Sequence, residues 1–418
     1  MTSDACQPDS PPPASEEGVP RTILQFKKYF ADARFHQTFQ LPADPSRGRH
    51  APFAVKYADF GFHQRSGASQ EQRVEEGKDD RDKNEGDKKE KMDEEENVLL
   101  FFGPLLATRM LHVTKDAMAK RHHVRIVNLD RPGIGGTDAV PADKLLETWR
   151  DVIPALLQHL GIRHVSIVCQ SGGIIYALDA ILHNPQILHP SRPYLAMGGP
   201  WVHPSHTSVS TMGFVSGLPI SLLGQTDKLA SFINARVIPL MGSSINLFDK
   251  AKRWVLGDLV ANHPPGAGND TAEARFEESS TMTMFQAVFA EGVVGISEEA
   301  KLLLRRVDGA VGWSDWGDVD AAVPRLVPAL RDAGITAQLR VDIFFAAKDS
   351  MIGNVGSKGP CWLEECFRRE ERGGGHGGLK VSCATMESAE HDTVLDMRWD
   401  AMEQILKTIA AKGRGSVL

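Results

Sequence analysis

The fold of this chain is decided by the stretch His164-Val165-Ser166-Ile167-Val168-Cys169-Gln170-Ser171-Gly172-Gly173-Ile174-Ile175-Tyr176-Ala177-Leu178. It begins as a β-branched strand over 164–168, turns within five residues, and continues with apolar residues at the three-and-four spacing of one helix face. A turn this tight strains the backbone of its central residue, so small residues are needed two positions to either side. Cys169 and Gly173 meet that need, and the stretch is therefore predicted to be a strand, a sharp turn and a helix.

Ser171 stands at the centre of this turn. Its hydroxyl is expected to be exposed to a substrate at the amino terminus of the helix, with the N–H of Gly172 pointing at a developing oxyanion. The stretch resembles the nucleophile elbow of the α/β-hydrolase family, usually written G-x-S-x-G, with Cys169 in place of the first glycine. The alternative interpretation is an ordinary strand-to-helix loop without a catalytic role.

Length and composition exclude several classes of protein. The 418 residues leave room for one large α/β domain with a subdomain, or for two domains. A formal net charge of -7 and a pI of about 6.1 provide no basic surface for nucleic acid. The five cysteines are odd in number and unpatterned, which argues against a disulfide framework and for a reducing compartment. Cys361 and Cys366 have helical spacing and no second pair nearby, so no metal site is predicted.

The chain carries no pattern of a secretory or membrane protein. Residues 1–20 are rich in acids, serines and prolines and are predicted to be a disordered tail rather than a signal peptide. The longest strongly apolar run, 98–107, is too short to span a bilayer. We therefore expect a soluble, cytoplasmic protein. The alternative, a peroxisomal location, depends on the final Ser416-Val417-Leu418, which lacks the basic central residue of the peroxisomal signal.

Strand and helix patterns alternate along the chain, which predicts a parallel, doubly wound sheet. The predicted core has a first part at 21–200 and a second part at 335–418. Its first part contains a charged insertion, 64–97, that is predicted to be disordered because it has almost nothing apolar to bury; a docking tract is the alternative. Residues 201–334 show apolar helical pieces without clear strands and are predicted to be a helical cap. Strand patterns lie at 53–57, 98–102, 124–130, 164–168, 194–197, 339–346 and 379–384.

A second motif supports the resemblance. The stretch Asp130-Arg131-Pro132-Gly133-Ile134-Gly135-Gly136-Thr137-Asp138 is similar to the D-R-P-G-x-G-x-S-D turn common in capped serine hydrolases of the α/β-hydrolase family. We interpret these residues as architectural, a turn after a strand. The resemblance covers about 53–411 and implies an α/β fold of the α/β-hydrolase type, with a mostly parallel sheet and a helical cap insertion.

The resemblance also implies a catalytic triad. The acid of the family follows the strand after the cap, which is the position of Asp349, and its histidine follows the last strand, as His391 does. His376 is the rival histidine, but it lies in a glycine run before the last strand. The chain order of Ser171, Asp349 and His391 matches the hydrolase order. A serine hydroxyl needs an imidazole to take its proton, and the carboxylate orients that imidazole.

The oxyanion hole is the point where the sequence departs from the family pattern. The family commonly has His-Gly-x after the corresponding strand, with x donating its backbone N–H, whereas this chain has Phe102-Gly103-Pro104-Leu105-Leu106. Pro104 has no N–H to donate. We therefore expect the N–H of Leu105 or Gly103 to act together with that of Gly172.

Three functions are compatible with these motifs. The first is a serine hydrolase that cleaves a carboxylic ester or thioester through an acyl-Ser171 intermediate. The second is a C–C bond hydrolase or lyase with the same triad, and the third is a non-catalytic ligand-binding protein. A serine at the elbow argues against dehalogenase-like and epoxide-hydrolase-like members, which use aspartate. No cofactor is predicted, and the expected partner is a small apolar or acyl substrate, suggested by apolar residues of the predicted cap: Met212, Phe214, Leu222, Leu223, Phe248, Met284, Phe285 and Phe289.

Overall fold

A computed structural model describes residues 23–64, 95–105, 108–209, 268–307, 312–353, 356–373 and 378–411. Several predictions fall outside these ranges: the tail at 1–20, residues 65–94 of the charged insertion, residues 210–267 of the cap, the terminal tripeptide and His376.

The described residues form an eight-stranded sheet. Its strands are β1 Gln37–Leu41, β2 Phe53–Gly61, β3 Val98–Phe102, β4 Arg125–Leu129, β5 Ser166–Gln170, β6 Tyr194–Gly198, β7 Leu339–Lys348 and β8 Leu379–Glu390. They lie in the order β1-β2-β4-β3-β5-β6-β7-β8. The pairs β1/β2 and β2/β4 are antiparallel, and all pairs from β4 to β8 are parallel. The predicted mostly parallel sheet is confirmed.

Helices cover both faces of this sheet. They are α1 Ile23–Phe30, α2 Asp116–Arg121, α3 Leu145–His159, α4 Gly173–His183, α5 Ala272–Glu291, α6 Ile296–Leu303, α7 Val319–Asp332, α8 Pro360–Gly373 and α9 Ala401–Ala411. Alternate residues of β3 enter different cores: Leu100 packs with α3, α4, α7 and α8, whereas Leu99 packs with α1, α2, α5 and α9. Among the described residues, no helix combines the length and apolarity needed to cross a bilayer.

The predicted cap range includes a helix of the core layers. Helix α7 lies within 201–334 but buries Val319, Val323 and Leu326 in the same core as α4 and α8. Its apolar residues follow one helix face, and the sheet-facing core accepts that face. Met284 of α5 likewise packs in the opposite core.

Two elements near the amino terminus were not recognised in the sequence. Helix α1 and strand β1 lie in the first part of the predicted core, before the first predicted strand pattern at 53–57. β1 is an edge strand in which Phe39 and Leu41 are buried and their neighbours are exposed. Five residues with two buried positions give too short an alternation to stand out.

Helix α4 begins directly against the end of β3. A Cβ atom added to Gly173 would lie 2.1 Å from the carbonyl oxygen of Phe102 and 2.8 Å from that of Gly103. Side-chain atoms do not approach backbone oxygens this closely, so the turn requires a glycine here. The sequence predicted that the fifth residue of the turn must be small, and this close approach is the reason.

We predict that Gly173→Ala destabilises the fold by about 1–3 kcal/mol, the usual cost of forcing extra atoms into a packed site. The measurement is the free energy of unfolding from urea titration. Gly373→Ala is the matched control, because a Cβ atom at Gly373 would meet nothing within 4 Å. Equal midpoints for the two variants would contradict the prediction.

Candidate active site

Asp349 and His391 each follow the last residue of a neighbouring strand. Lys348 at the end of β7 pairs with Glu390 at the end of β8. Because the two strands are parallel, the next residue of each lies at the same edge of the sheet. The Nδ1 atom of His391 is 2.8 Å from Oδ2 of Asp349.

An irregularity in the pairing of β7 with β8 brings His391 opposite Asp349. Leu339 pairs with Leu379, and the register holds as far as Ala346, which pairs with Met386. A register shift between Ala346 and Lys348 then inserts two additional residues of β8. An uninterrupted ladder would place Ala389, not His391, opposite Asp349.

The structure brings the three predicted side chains into one hydrogen-bonded row. Ser171 lies directly after β5, and its Oγ atom is 2.8 Å from Nε2 of His391. All three side chains belong to buried residues, with exposed fractions of 6% for Ser171, 4% for His391 and 7% for Asp349. The carboxylate accepts from Nδ1–H, so the neutral ring presents the lone pair of Nε2 to the serine hydroxyl. A lone pair in this position can accept the hydroxyl proton.

The carboxylate of Asp349 is oriented by its own loop. Its Oδ1 atom accepts hydrogen bonds from the N–H groups of Met351 and Ile352, each at 2.9 Å. These bonds hold one oxygen in the turn and leave Oδ2 facing the imidazole. The second role of such a carboxylate, besides its charge, is to hold the ring in one tautomer.

The electrostatics of the row favour a protonated His391. Complete burial of the ring by itself lowers its pKa, because desolvation disfavours the charged form. The negative charge of Asp349, its hydrogen bond and the charge of Asp392 oppose burial and prevail, so the pKa is raised above 6.5. The imidazolium that forms when the ring takes a proton is therefore stabilised.

Ser171 has a left-handed backbone, with φ of 48°. Its N–H donates to the carbonyl of Gly198 at 3.1 Å, and its carbonyl accepts from the N–H of Trp201 at 3.1 Å. Both partners lie in the segment that ends β6. The backbone on either side of the hydroxyl is thus held by the neighbouring strand connection.

Gln170 links the serine turn to the histidine loop. Its Nε2 atom donates to the carbonyl of Asp392 at 2.8 Å, although the side chain is almost fully buried. The residue before the nucleophile position is thereby joined to the residue after His391. Sequence reasoning missed this contact; the signal available was a polar residue directly after the apolar run 167–169 of the strand.

The loop after β3 favours one of the two predicted oxyanion donors. The carbonyl of Phe102 points at Gly173. Within one trans peptide the N–H is antiparallel to the C=O, so the N–H of Gly103 points away from the elbow. Of the two predicted donors in this loop, this orientation disfavours Gly103 and leaves Leu105 as the candidate. In the described part of the chain the N–H of Gly172, at the start of α4, has no hydrogen-bond partner.

Two groups of potential metal ligands lie away from this row. Glu95, His164 and His189 form one group. In it, Nδ1 of His189 accepts a backbone N–H at 3.2 Å, so the neutral ring carries its proton on Nε2, the atom facing Glu95. A protonated nitrogen cannot bind a metal. The second group, around Asp179, is paired with the guanidinium of Arg150.

The geometry can be compared with known proteins. No protein-family model matches this chain, and no curated protein matches its sequence. Among solved structures it is similar to an esterase from Thermogutta terrifontis, with a TM-score of 0.50 and 13% identity, over 90% of this chain and 98% of the esterase. The chain has the α/β-hydrolase fold.

Other structures with this fold show similar coverage. An epoxide hydrolase from Vigna radiata has a TM-score of 0.47 and 13% identity, over 90% of this chain and 97% of that enzyme. Esterase E22 has a TM-score of 0.49 and 12% identity, over 90% of this chain and 99% of the other. The α/β-hydrolase fold that the elbow and the D-R-P-G turn predicted is confirmed; at these identities the likeness concerns the fold alone.

We predict that the imidazole of His391 titrates above pH 6.5 and that Asp349→Asn lowers its pKa, because burial is then opposed chiefly by Asp392. Histidine ring NMR signals followed against pH provide the measurement. Asp392→Asn is the graded control and should lower the pKa less than Asp349→Asn, since the charge of Asp392 is the weaker cause. An unchanged pKa in Asp349→Asn would contradict the prediction.

Proposed function

We propose that this chain is a hydrolase, and specifically a serine hydrolase that cleaves carboxylic esters or thioesters. The observation that carries the proposal is the buried row in which Asp349, His391 and Ser171 are joined by hydrogen bonds of 2.8 Å. The α/β-hydrolase fold supports it as a scaffold that presents such a row at the carboxyl edge of a parallel sheet. Fold alone does not determine function, so the chemistry of the row is the main support.

The first half of the proposed reaction transfers the acyl group to the protein. The Oγ atom of Ser171 attacks the ester carbonyl carbon while its proton passes to Nε2 of His391. The negative charge that develops on the carbonyl oxygen is stabilised by the N–H groups of Gly172 and Leu105. The tetrahedral intermediate collapses, the bond to the alcohol or thiol breaks, and the leaving group takes the proton from His391.

The second half releases the acid. A water molecule attacks the acyl-serine carbonyl and gives one proton to Nε2 of His391. Collapse of the second tetrahedral intermediate breaks the bond to Ser171, whose oxygen takes that proton back. No metal or redox group takes part, and the stabilised imidazolium serves both halves.

A small acyl substrate is proposed because the surroundings of the oxyanion position are narrow and apolar. Leu303 of α6 lies so close to Gly172 that a Cβ atom added to this glycine would be 2.7 Å from Cδ2 of the leucine. Trp201 is buried beside it and donates its indole N–H to the carbonyl of Leu303 at 3.3 Å. Apolar walls exclude water from the position where charge develops.

We predict that a fluorophosphonate probe labels the native protein at one residue and that Ser171→Ala abolishes the labelling, because no other serine in the described residues shares this imidazole. Intact-protein mass spectrometry before and after the probe provides the measurement. Ser388→Ala, in the edge strand β8, is the control and should label normally. Labelling that persists in Ser171→Ala would contradict the proposed nucleophile.

We predict that kcat/KM for a short-chain p-nitrophenyl ester rises with pH through a midpoint above 6.5, because only the neutral imidazole accepts the serine proton and its pKa is raised. Asp349→Asn should move this midpoint to lower pH and lower the rate by about 10⁴-fold. Initial rates from pH 5 to 9 test both. A midpoint that stays in place in Asp349→Asn would show that His391 is not the titrating base.

A further inference from the structure

Arg131 is a buried charge beside the loop that follows β3. It is the second residue of the D-R-P-G turn after β4, and its side chain is only 4% exposed. Its Nη2 atom donates to the carbonyl oxygen of Pro104. Burying a guanidinium is costly unless it is paired, so this contact requires a compensating partner.

The compensating partner is Glu299 of α6. Its Oε2 atom lies 3.3 Å from Nη1 of Arg131, and its residue is fully buried. The hydroxyl of Tyr176 donates to the other carboxylate oxygen, while the guanidinium of Arg131 lies over the tyrosine ring at 5.1 Å. The ion pair therefore lies inside the protein, between the turn after β4 and helices α4 and α6.

The contact with Pro104 determines the direction of the next N–H. The Pro104–Leu105 peptide is trans, so the carbonyl of Pro104 and the N–H of Leu105 point in opposite directions. Strand β3 lies between β4, which is followed by the turn with Arg131, and β5, which is followed directly by Ser171. A carbonyl directed towards Arg131 therefore leaves the N–H of Leu105 directed towards the side of Ser171.

We propose that Arg131 is a positioning residue for the oxyanion hole: it holds the carbonyl of Pro104 so that the N–H of Leu105 faces the reacting carbonyl. The inference rests on the proposed serine-hydrolase function. The inference explains how this loop supplies a donor although Pro104, which has no N–H, stands at the position that commonly donates in the family. The N–H of the next residue, Leu105, donates instead. Arg131 itself touches no reacting atom.

Helix α6 supports both oxyanion donors from one face. Glu299 and Leu303 are four residues apart and hence neighbours on the helix surface. Glu299 pairs with Arg131 and so acts on Leu105, whereas Leu303 packs on Gly172. A shift of this helix would disturb both N–H groups together.

The test compares Arg131→Met with the wild type in two measurements. We expect kcat for the p-nitrophenyl ester to fall about 10²-fold or more with little change in KM, the result of losing one oxyanion donor. An alkyl trifluoromethyl ketone, which forms a hemiketal oxyanion with the serine, should bind more weakly by a similar factor. The acid-limb midpoint should stay in place, because His391 is not touched.

Arg109→Met is the matched control. Arg109 is also almost fully buried, but its guanidinium pairs with Asp130 and Glu291, whereas that of Arg131 donates to the carbonyl of Pro104. We expect it to lower the melting temperature while kcat and ketone affinity, per folded protein, change less than threefold. Arg131→Lys keeps one donor for Pro104 and should recover part of both losses.

Each outcome either supports or overturns the inference about Arg131. Ketone affinity and kcat within twofold of wild type in folded Arg131→Met would overturn the inference, as would equal losses in Arg109→Met. If Arg131→Met does not fold, Glu299→Gln replaces it: we expect tenfold lower kcat and ketone affinity, and values within twofold would overturn the inference. Wild-type protein that neither labels with fluorophosphonate nor hydrolyses the ester would overturn the proposed function and this inference together, whereas an active wild type with an unaffected Arg131→Met overturns the inference alone.

Discussion

The backbone of Ser171 is the constraint on which the rest of the site depends. A non-glycine residue with φ of 48° carries a strain of about 1–3 kcal/mol, and it persists only where the surroundings hold it. Here Gly198 and Trp201 bond both sides of the serine, and Gly173 lets α4 begin against β3. This strained turn places the hydroxyl between the end of β5 and the start of α4, at the sheet edge where β7 and β8 also end.

Burial makes the charges in this row interdependent. A buried imidazole without a counter-charge would stay neutral, because desolvation is the largest single influence on the pKa of His391 and acts downwards. Asp349 reverses this influence, and two backbone N–H groups hold Asp349 in turn. The basicity of His391 is therefore set by a chain of contacts that ends in the main chain after β7.

Much of this arrangement was predictable from the sequence, for identifiable reasons. The apolar run that forms β3 is buried on both faces, and runs of that kind mark central parallel strands. The resemblance to α/β-hydrolases implied that Asp349 and His391 each follow a strand, and parallel strands end at the edge of the sheet where Ser171 lies. Helix α7 was assigned to the cap instead of the core, because periodicity shows that a helix has an apolar face but not which surface covers it.

Contacts between distant loops were not predictable. The D-R-P-G turn was interpreted as architectural, since nothing in its residues indicates that Arg131 reaches Pro104 or that Glu299, more than 160 positions later, pairs with it. Both residues have other polar residues near them in the sequence, so nothing in the sequence indicated that these two side chains are buried. Their importance appears only when the loops after β3 and β4 lie side by side.

The position of His391 was only partly predictable from the sequence. The predicted last strand ended at Ala384, which left the path of the six residues before His391 unassigned. In the structure β8 continues to Glu390, and its two additional residues after Met386 move the register so that His391 replaces Ala389 opposite Asp349. No glycine or proline marks this irregularity in the sequence. Among the described residues β8 is an edge strand, so its additional residues disturb no second neighbouring strand. The position of His391 is thus determined by strand pairing rather than by the loop that carries it, and Ser171 and Asp349 lie at the same edge of the sheet.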